Sequence, residues 1–305
     1  MEFVTDDRQR GAPALGLRLA HRQPFDAASL LGFLAARAVD GVEEVRDGRF
    51  RRTLRLPHGW GVVELAPAGD HVACALRLGD LRDVDAAVSR CRRLLDLDAD
   101  PLAIAGHLGR DPALAPLVAR SPGRRLPGHV DGAELAVRAV FGQQISVAAA
   151  RTHLARLARR CGDPLPGAGG SLTHLFPTAA AIAAIDPTAL ALPAARRETL
   201  LRLVRALAAG DVVVEHGTDA RTLQRSLLAI RGIGPWTAGY IAMRAAGDPD
   251  VFLASDLGAR KALAQLGLPA GERAAARLAE RWRPWRSYAL MHLWASLVPP
   301  PPPGP

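Results

Sequence analysis

The sequence predicts an α+β N-terminal sheet domain followed by a mostly α-helical core built around a helix–hairpin–helix, and three observations predict it. Apolar and polar residues alternate in short runs between Leu15 and Leu78, the period-two pattern of half-buried strands. Beyond Pro101 that alternation nearly vanishes and helical periodicity takes over. Within the helical part, Leu228-Ala229-Ile230-Arg231-Gly232-Ile233-Gly234-Pro235-Trp236-Thr237-Ala238 sets two glycines around one apolar residue, between two helical patterns.

Taken in order, residues 1–14 are polar and read as a flexible leader. Leu15-Gly16-Leu17-Arg18-Leu19 alternates like a strand, and residues 29–39 are helical. Residues 52–56, 60–65 and 72–78 alternate again, with turns at Pro57-His58-Gly59 and Pro67-Ala68-Gly69. A helix over 84–95 closes a unit spanning 15–100, a sheet with helices on one face. Helices are then expected over 133–141, 147–160, 179–185, 196–208, 222–230, 235–245, 257–266, 273–282 and 288–297. The Gly/Pro-rich stretch from Pro164 to Ser171 is a candidate boundary between two helical subdomains of the region 101–298, with a cleft between them. Residues 299–305 form a polyproline tail whose prolines offer no N–H donors for a ladder, and it is expected to be disordered.

The chain has 305 residues, 49% hydrophobic and 23% charged, ordinary values for a globular protein. No apolar run reaches the roughly 18 residues that span a bilayer. The N-terminus has neither a basic start nor an apolar core, so no secretory signal is read and a cytoplasmic location is expected. Cys74, Cys91 and Cys161 are widely spaced with no C-x-x-C pair. They read as buried, reduced thiols rather than metal ligands. The net charge of +9 favours a polyanionic partner. Lys261 is the only lysine. With abundant alanine, this points to a GC-rich genome that turns Lys into Arg, so surface arginines such as Arg156, Arg159 and Arg160 read as solvated faces.

The hairpin carries chemistry. Glycine tolerates positive φ and lets backbone lie flush against a ligand, and Pro235 suits the first position of the second helix. The unpaired N–H groups there suit a small anion, so Gly232, Ile233, Gly234 and Thr237 are candidates for holding a nucleic-acid phosphate without reading sequence. An ordinary αα-hairpin is the alternative. Twenty residues after Trp236, the extended Val251-Phe252-Leu253-Ala254-Ser255 runs into Asp256 at the start of another helix. An aspartate there is commonly an N-cap worth about 1 kcal/mol. A cap can still leave one carboxylate oxygen free to face a cleft.

In this order, hairpin, helix, apolar loop and aspartate resemble the helix-hairpin-helix DNA glycosylase superfamily. Further motifs narrow the resemblance to its alkylation-repair branch, the DNA-3-methyladenine glycosylase II family. They are Leu31-Gly32-Phe33-Leu34-Ala35-Ala36-Arg37-Ala38-Val39, Leu126-Pro127-Gly128, Val137-Arg138-Ala139-Val140, Gly142-Gln143-Gln144-Ile145-Ser146 and Arg283-Pro284-Trp285-Arg286-Ser287-Tyr288-Ala289-Leu290-Met291-His292-Leu293-Trp294. The resemblance runs from about Leu15 to Val298. It implies base flipping and a catalytic Asp256 that stabilises an oxocarbenium-like sugar and activates water. An N3- or N7-alkylated purine is cationic and already a good leaving group. It is best held by aromatic faces, each contributing ~0.5–2 kcal/mol.

By resemblance, Trp236, Tyr240, Trp294 and Phe33 line the base pocket. Trp236 and Tyr240, four apart, share one helix face; Trp282 and Trp285 read as core. Relatives that also nick DNA use a lysine near the start of the post-hairpin helix, where Trp236 stands here. The cysteine loop for an iron–sulfur cluster is also missing. Monofunctional excision of alkylated bases from double-stranded DNA follows, by a monomer that leaves an abasic site for a downstream nuclease. The wedge that fills the flipped base's gap falls at Gln144, with Ile145 beside it, where well-known relatives use leucine. No cofactor is required. The family's hairpin binds a monovalent cation through carbonyls that would fall at Leu228, Ile230 and Gly232. Two alternatives stand beside this reading: a non-catalytic DNA-binding hairpin protein, and the glycosylase module of an alkylation-response regulator, although the cysteine-rich zinc segment of such regulators is lacking.

Overall fold

The computed structural model describes residues 14–167, 170–190 and 192–298. The expected leader, apart from Ala14, and the tail at 299–305 lie outside these. Five antiparallel strands, β1 (Leu15–Ala20), β2 (Glu43–Arg46), β3 (Arg49–Leu56), β4 (Gly59–Ala68) and β5 (His71–Leu78), form one sheet in the order β1-β5-β4-β3-β2. Leu19, Phe50, Leu54, Val63, Leu65, Val72, Cys74 and Leu76 pack on one face against Leu30 and Leu34 of α1 (Ala27–Arg37) and Ala87, Cys91 and Leu94 of α2 (Val84–Leu94). Asp26 caps α1 by accepting from the Ser29 backbone N–H at 3.0 Å.

The other sheet face is covered by chain rather than by helix. Leu165, Leu172 and Leu175 pack on Val62 and the half-buried Trp60, and Thr53 Oγ1 donates to the His174 carbonyl at 2.8 Å. Leu165 and Leu172, at the two ends of the Gly/Pro-rich stretch, therefore help to seal the sheet. Cys161, expected to be buried, is half-buried near the end of its helix. Strand β2 escaped the sequence reading because its four residues, Glu-Glu-Val-Arg, are mostly charged.

Eleven helices follow among the described residues: α3 (Pro101–Leu108), α4 (Ala115–Arg120), α5 (Gly132–Phe141), α6 (Val147–Cys161), α7 (Ala179–Ala183), α8 (Ala194–Ala209), α9 (Ala220–Leu228), α10 (Pro235–Ile241), α11 (Leu257–Gln265), α12 (Glu272–Ala279) and α13 (Arg286–Ser296). One hydrophobic core joins Leu135 and Val140 of α5, Leu154 of α6, Leu200 and Leu203 of α8, Leu227 of α9, Ile241 of α10 and Leu290 of α13. Helices on both sides of the Gly/Pro-rich stretch thus share a core. No helix of the described residues is long and apolar enough to cross a membrane.

Sheet and helices are joined by charge as well as by packing. Arg52, paired across β3 to Glu43 of β2, points to the helix-bearing side and is only 1% exposed. Its Nη1 donates to Glu43 at 2.6 Å and its Nη2 to Glu134 of α5 at 2.8 Å. Arg138, one turn on in α5, donates to Glu43 at 2.8 Å and also to Glu134. One buried and one partly buried cation and two buried carboxylates thereby neutralise one another across the junction.

Candidate active site

The hairpin joins α9 to α10. Gly232 has φ +96°, and a Cβ there would stand 1.9 Å from Thr199 Oγ1 of α8. Glycine is required there by conformation and by space. Gly234 differs from the sequence-based expectation: its φ is an ordinary −95°, and a Cβ would meet nothing within 4 Å. Nothing within the described residues requires glycine there. Ile233 and Thr237 are buried, so their side chains anchor the hairpin rather than present it. Thr237 Oγ1 accepts from Gln143 Nε2 at 3.0 Å, and the same amide reaches the Gly232 carbonyl at 3.3 Å. This ties the Gly142–Ser146 loop to the hairpin.

Asp256 is the N-cap of α11, and its Oδ1 accepts from the Ala259 backbone N–H at 2.7 Å. The same oxygen accepts from Trp294 Nε1 at 2.8 Å, and Oδ2 from Trp236 Nε1 at 2.9 Å. The sequence reading left one oxygen free; here both are engaged, because the two indoles flanking the carboxylate turn their N–H groups onto it. Two donors fill the lone pairs of Oδ1, whereas Oδ2 keeps one for a further donor.

Trp236 and Tyr240 stack with centroids 5.2 Å apart and planes 6° from parallel; Tyr240 and Trp294 lie 6.5 Å apart at 49°. These three rings and Asp256 line a cavity of about 350 Å³. Phe33 is not brought to its wall. The Arg37 guanidinium lies 3.7 Å from the centroid of its ring and that of Arg244 4.8 Å away. Trp282 is buried and donates to Asp111 at 2.8 Å, while Trp285 packs edge-on against Tyr288. Lys261 is exposed on α11.

The opposite part of the cavity is polar, and its residues escaped the sequence reading as site residues. Arg37, Glu43, His129, Arg138 and Arg244 all line it. Arg244 sits in a π-helical turn, Ala242–Ala246, that continues α10, a distortion frequent at functional sites. Its guanidinium donates to Tyr240 Oη at 2.7 Å, to the Gly128 carbonyl at 2.9 Å and to the Pro127 carbonyl. Burial alone would raise the Tyr240 phenol, but the guanidiniums of Arg244 and Arg37 outweigh it and hold the pKa below the ordinary tyrosine value. A signal existed for Arg244, which follows Trp236 by eight and Tyr240 by four on one helix face.

Glu43, His129 and Glu134 bring ligand-type atoms within 4.8 Å of one another. Both carboxylates are already matched by Arg52 and Arg138, and a divalent ion beside two guanidiniums would be repelled. Burial works to raise the Glu43 pKa, yet the two arginines bring it below the usual carboxylate value. Burial first, then the same arginines, depresses His129 well below an ordinary histidine, so its ring is neutral.

At the cavity rim, Gln144 is exposed at φ +57°, with Arg196 Nη2 3.4 Å from its Oε1. A non-glycine residue held there costs about 1–2 kcal/mol, strain that gathers at functional positions. Ile145 beside it lines the cavity. Of the three carbonyls named for a cation, Ile230 O accepts from Ile233 N at 3.0 Å and Gly232 O from Gln143. A carbonyl has two lone pairs, so these bonds leave one free on each of the Ile230 and Gly232 oxygens.

Residues 16–131 match the family model for the AlkA N-terminal domain. The chain is 54% identical to a Mycobacterium tuberculosis protein named as a probable bifunctional transcriptional activator/DNA repair enzyme AlkA, over 94% of this chain and 58% of that one; it thus spans less than two thirds of that relative. It is 38% identical to the Escherichia coli DNA-3-methyladenine glycosylase 2, over 89% of this chain and 94% of that protein. In fold it matches a 3-methyladenine DNA glycosylase from Archaeoglobus fulgidus, with TM-score 0.79 and 21% identity, over 92% of this chain and 97% of that one. With the capped aspartate, the hairpin and the sheet domain accounted for, the chain belongs to the DNA-3-methyladenine glycosylase II family of helix-hairpin-helix DNA glycosylases.

Proposed function

We propose that the protein is a monofunctional glycosylase that removes N3- and N7-alkylated purines, such as 3-methyladenine and 7-methylguanine, from double-stranded DNA. One observation carries this reading: a carboxylate clamped by two indole N–H groups faces a cavity whose walls are the same aromatic rings. A cationic purine stacked on Trp236, Tyr240 or Trp294 gains cation–π attraction. The C1′–N bond then breaks with its electron pair going to the base, which leaves neutral. Asp256 stabilises the cationic sugar and takes a proton from the water that adds at C1′.

The remaining assignments belong to the same proposal. Gln144, strained and exposed, enters the duplex as the wedge, with Ile145 behind it. The backbone of Gly232, Ile233, Gly234 and Thr237 holds phosphate, with a monovalent cation at the hairpin carbonyls bridging to it. The enzyme works as a cytoplasmic monomer on the nucleoid and hands an abasic site to a nuclease. Its chain divides near residue 100, and the two helical halves flank the cavity.

Purified protein is expected to release 3-methyladenine and 7-methylguanine from methylated duplex DNA, measured by chromatography of the free bases. Because Trp236 stands where a lyase carries lysine, and Lys261 is exposed elsewhere, borohydride added during turnover should trap no protein–DNA adduct. An adduct lost in Lys261→Ala would overturn the monofunctional assignment. Duplex binding without release of either base would favour the non-catalytic reading.

Gly234→Ala should weaken binding to damaged and undamaged duplexes alike while leaving the melting temperature unchanged, since its Cβ would meet only an incoming phosphate. Gly232→Ala should instead lower the melting temperature, because its Cβ collides with Thr199. Loss confined to damaged DNA in Gly234→Ala, read by titration at fixed salt, would move Gly234 into the base pocket.

A further inference from the structure

The loop between α5 and α6 carries the wedge candidate in a backbone conformation that few side chains adopt. Its two ends are fixed by the helices. Gly142 N–H donates to the Arg138 carbonyl at 2.9 Å, and Ser146 caps α6 by accepting from the Ala149 N–H at 3.2 Å. Between them Gln144 stands exposed at φ +57°. A residue in so sparsely populated a region persists only where its surroundings over-determine it. The Arg196 contact with its own side chain is long, 3.4 Å, and exposed. The firmer hold comes from the residue before it.

Gln143 is half-buried, and its amide reaches out of its own loop to the hairpin, 89 and 94 residues further along the chain. The Gly232 carbonyl can only accept, which fixes Nε2 as the atom that faces the hairpin. Nε2 offers one N–H to that oxygen at 3.3 Å and the other to Thr237 Oγ1 at 3.0 Å, so both its donors are engaged. The two acceptors stand on either side of the turn. Gly232 is held by its positive φ against Thr199, and Thr237 is buried in the first turn of α10. Among the described residues, no other group of the loop 142–146 hydrogen-bonds to the hairpin.

We propose that Gln143 is a positioning residue: its amide fixes the wedge loop to the phosphate-holding hairpin, so that Gln144 enters the duplex at a set distance from the gripped backbone. This rests on the glycosylase reading and on Gln144 as the wedge, and adds to them how the two DNA contacts are kept in register. Two donors on two held acceptors transmit position without touching the base or Asp256. Without the amide the hairpin and the carboxylate are intact, but the loop relaxes out of its strained state and Gln144 fills the gap less often.

The test is single-turnover excision of 7-methylguanine from two duplexes, one with the lesion opposite cytosine and one with it opposite an abasic spacer, corrected for uncatalysed base loss. Flipping costs least where the base has no partner, so the wedge matters most on the paired lesion. The ratio of paired to spacer-opposed rate is the readout, since lost fold or a displaced Asp256 lowers both rates together. Gln143→Leu removes both donors at similar size and should lower the ratio about tenfold, the effect of two hydrogen bonds of ordinary net strength. Thr237→Val removes one acceptor and should give part of that fall, and the double mutant no more than Gln143→Leu alone. Gln144→Gly, which accepts the positive φ but carries no wedge, should lower the ratio at least as far. A wild-type ratio in Gln143→Leu, or losses that add in the double mutant, would overturn the proposal, while a lowered ratio in Gln144→Gly leaves the wedge standing. A wild-type ratio in Gln144→Gly would remove Gln144 as the wedge and overturn both. A wild-type protein that releases no base would overturn the glycosylase reading with them.

Discussion

Asp256→Asn should abolish base excision while duplex binding survives. The substitution removes the anion that faces the developing oxocarbenium and leaves the hairpin untouched. It also sets an amide N–H₂ against an indole N–H, because all three contacts of the carboxylate are accepted ones: Ala259 N and Trp294 Nε1 on Oδ1, Trp236 Nε1 on Oδ2. The cap can be kept by the remaining oxygen, so the cost to folding should be about 1 kcal/mol or less. The measurement is a single-turnover excision assay beside a binding titration. A mutant retaining more than a few per cent of the wild-type rate would reduce Asp256 to a cap.

Arg52→Met should give the largest loss of stability, about 3–5 kcal/mol, the usual consequence of removing one partner from a buried ion pair. Arg52 is almost completely buried and donates to Glu43, Glu134 and its neighbour's carbonyl, Thr53 O. Without it, one guanidinium, that of Arg138, must serve two buried carboxylates. Urea unfolding followed by circular dichroism reads the change. A shift below about 1 kcal/mol would mean that water or rearranged side chains already screen the cluster.

Much of the scaffold was legible in the chain because local rules decided it. Alternation in β3, β4 and β5 marked the sheet face. The four-residue offset of Trp236 and Tyr240 placed both rings on one wall, and an aspartate entering a helix announced its cap. What escaped was decided by partners distant in sequence. Glu43, Arg138 and Arg244 look like solvated charges until Arg52, Glu134 and the carbonyls of residues 127–128 come alongside. Strand β2 was hidden because its inward residue is a glutamate whose partner lies across the sheet. The need for glycine fell on Gly232 rather than on Gly234, since Thr199 of a different helix occupies the space. Phe33 sits on the expected helix, but Arg37, one turn later, lies over its ring.

The two indoles that hold Asp256 have a consequence for how such an enzyme can diversify. Trp236 and Trp294 each line the cavity and present an N–H to the Asp256 carboxylate. Replacing either to admit a differently shaped lesion also releases one carboxylate oxygen. Substrate range and turnover are coupled at that end, so mutational drift there is penalised twice. The polar end, where His129 and Arg37 make no contact with the carboxylate, is where a lineage or an engineer can alter recognition without dismantling the chemistry.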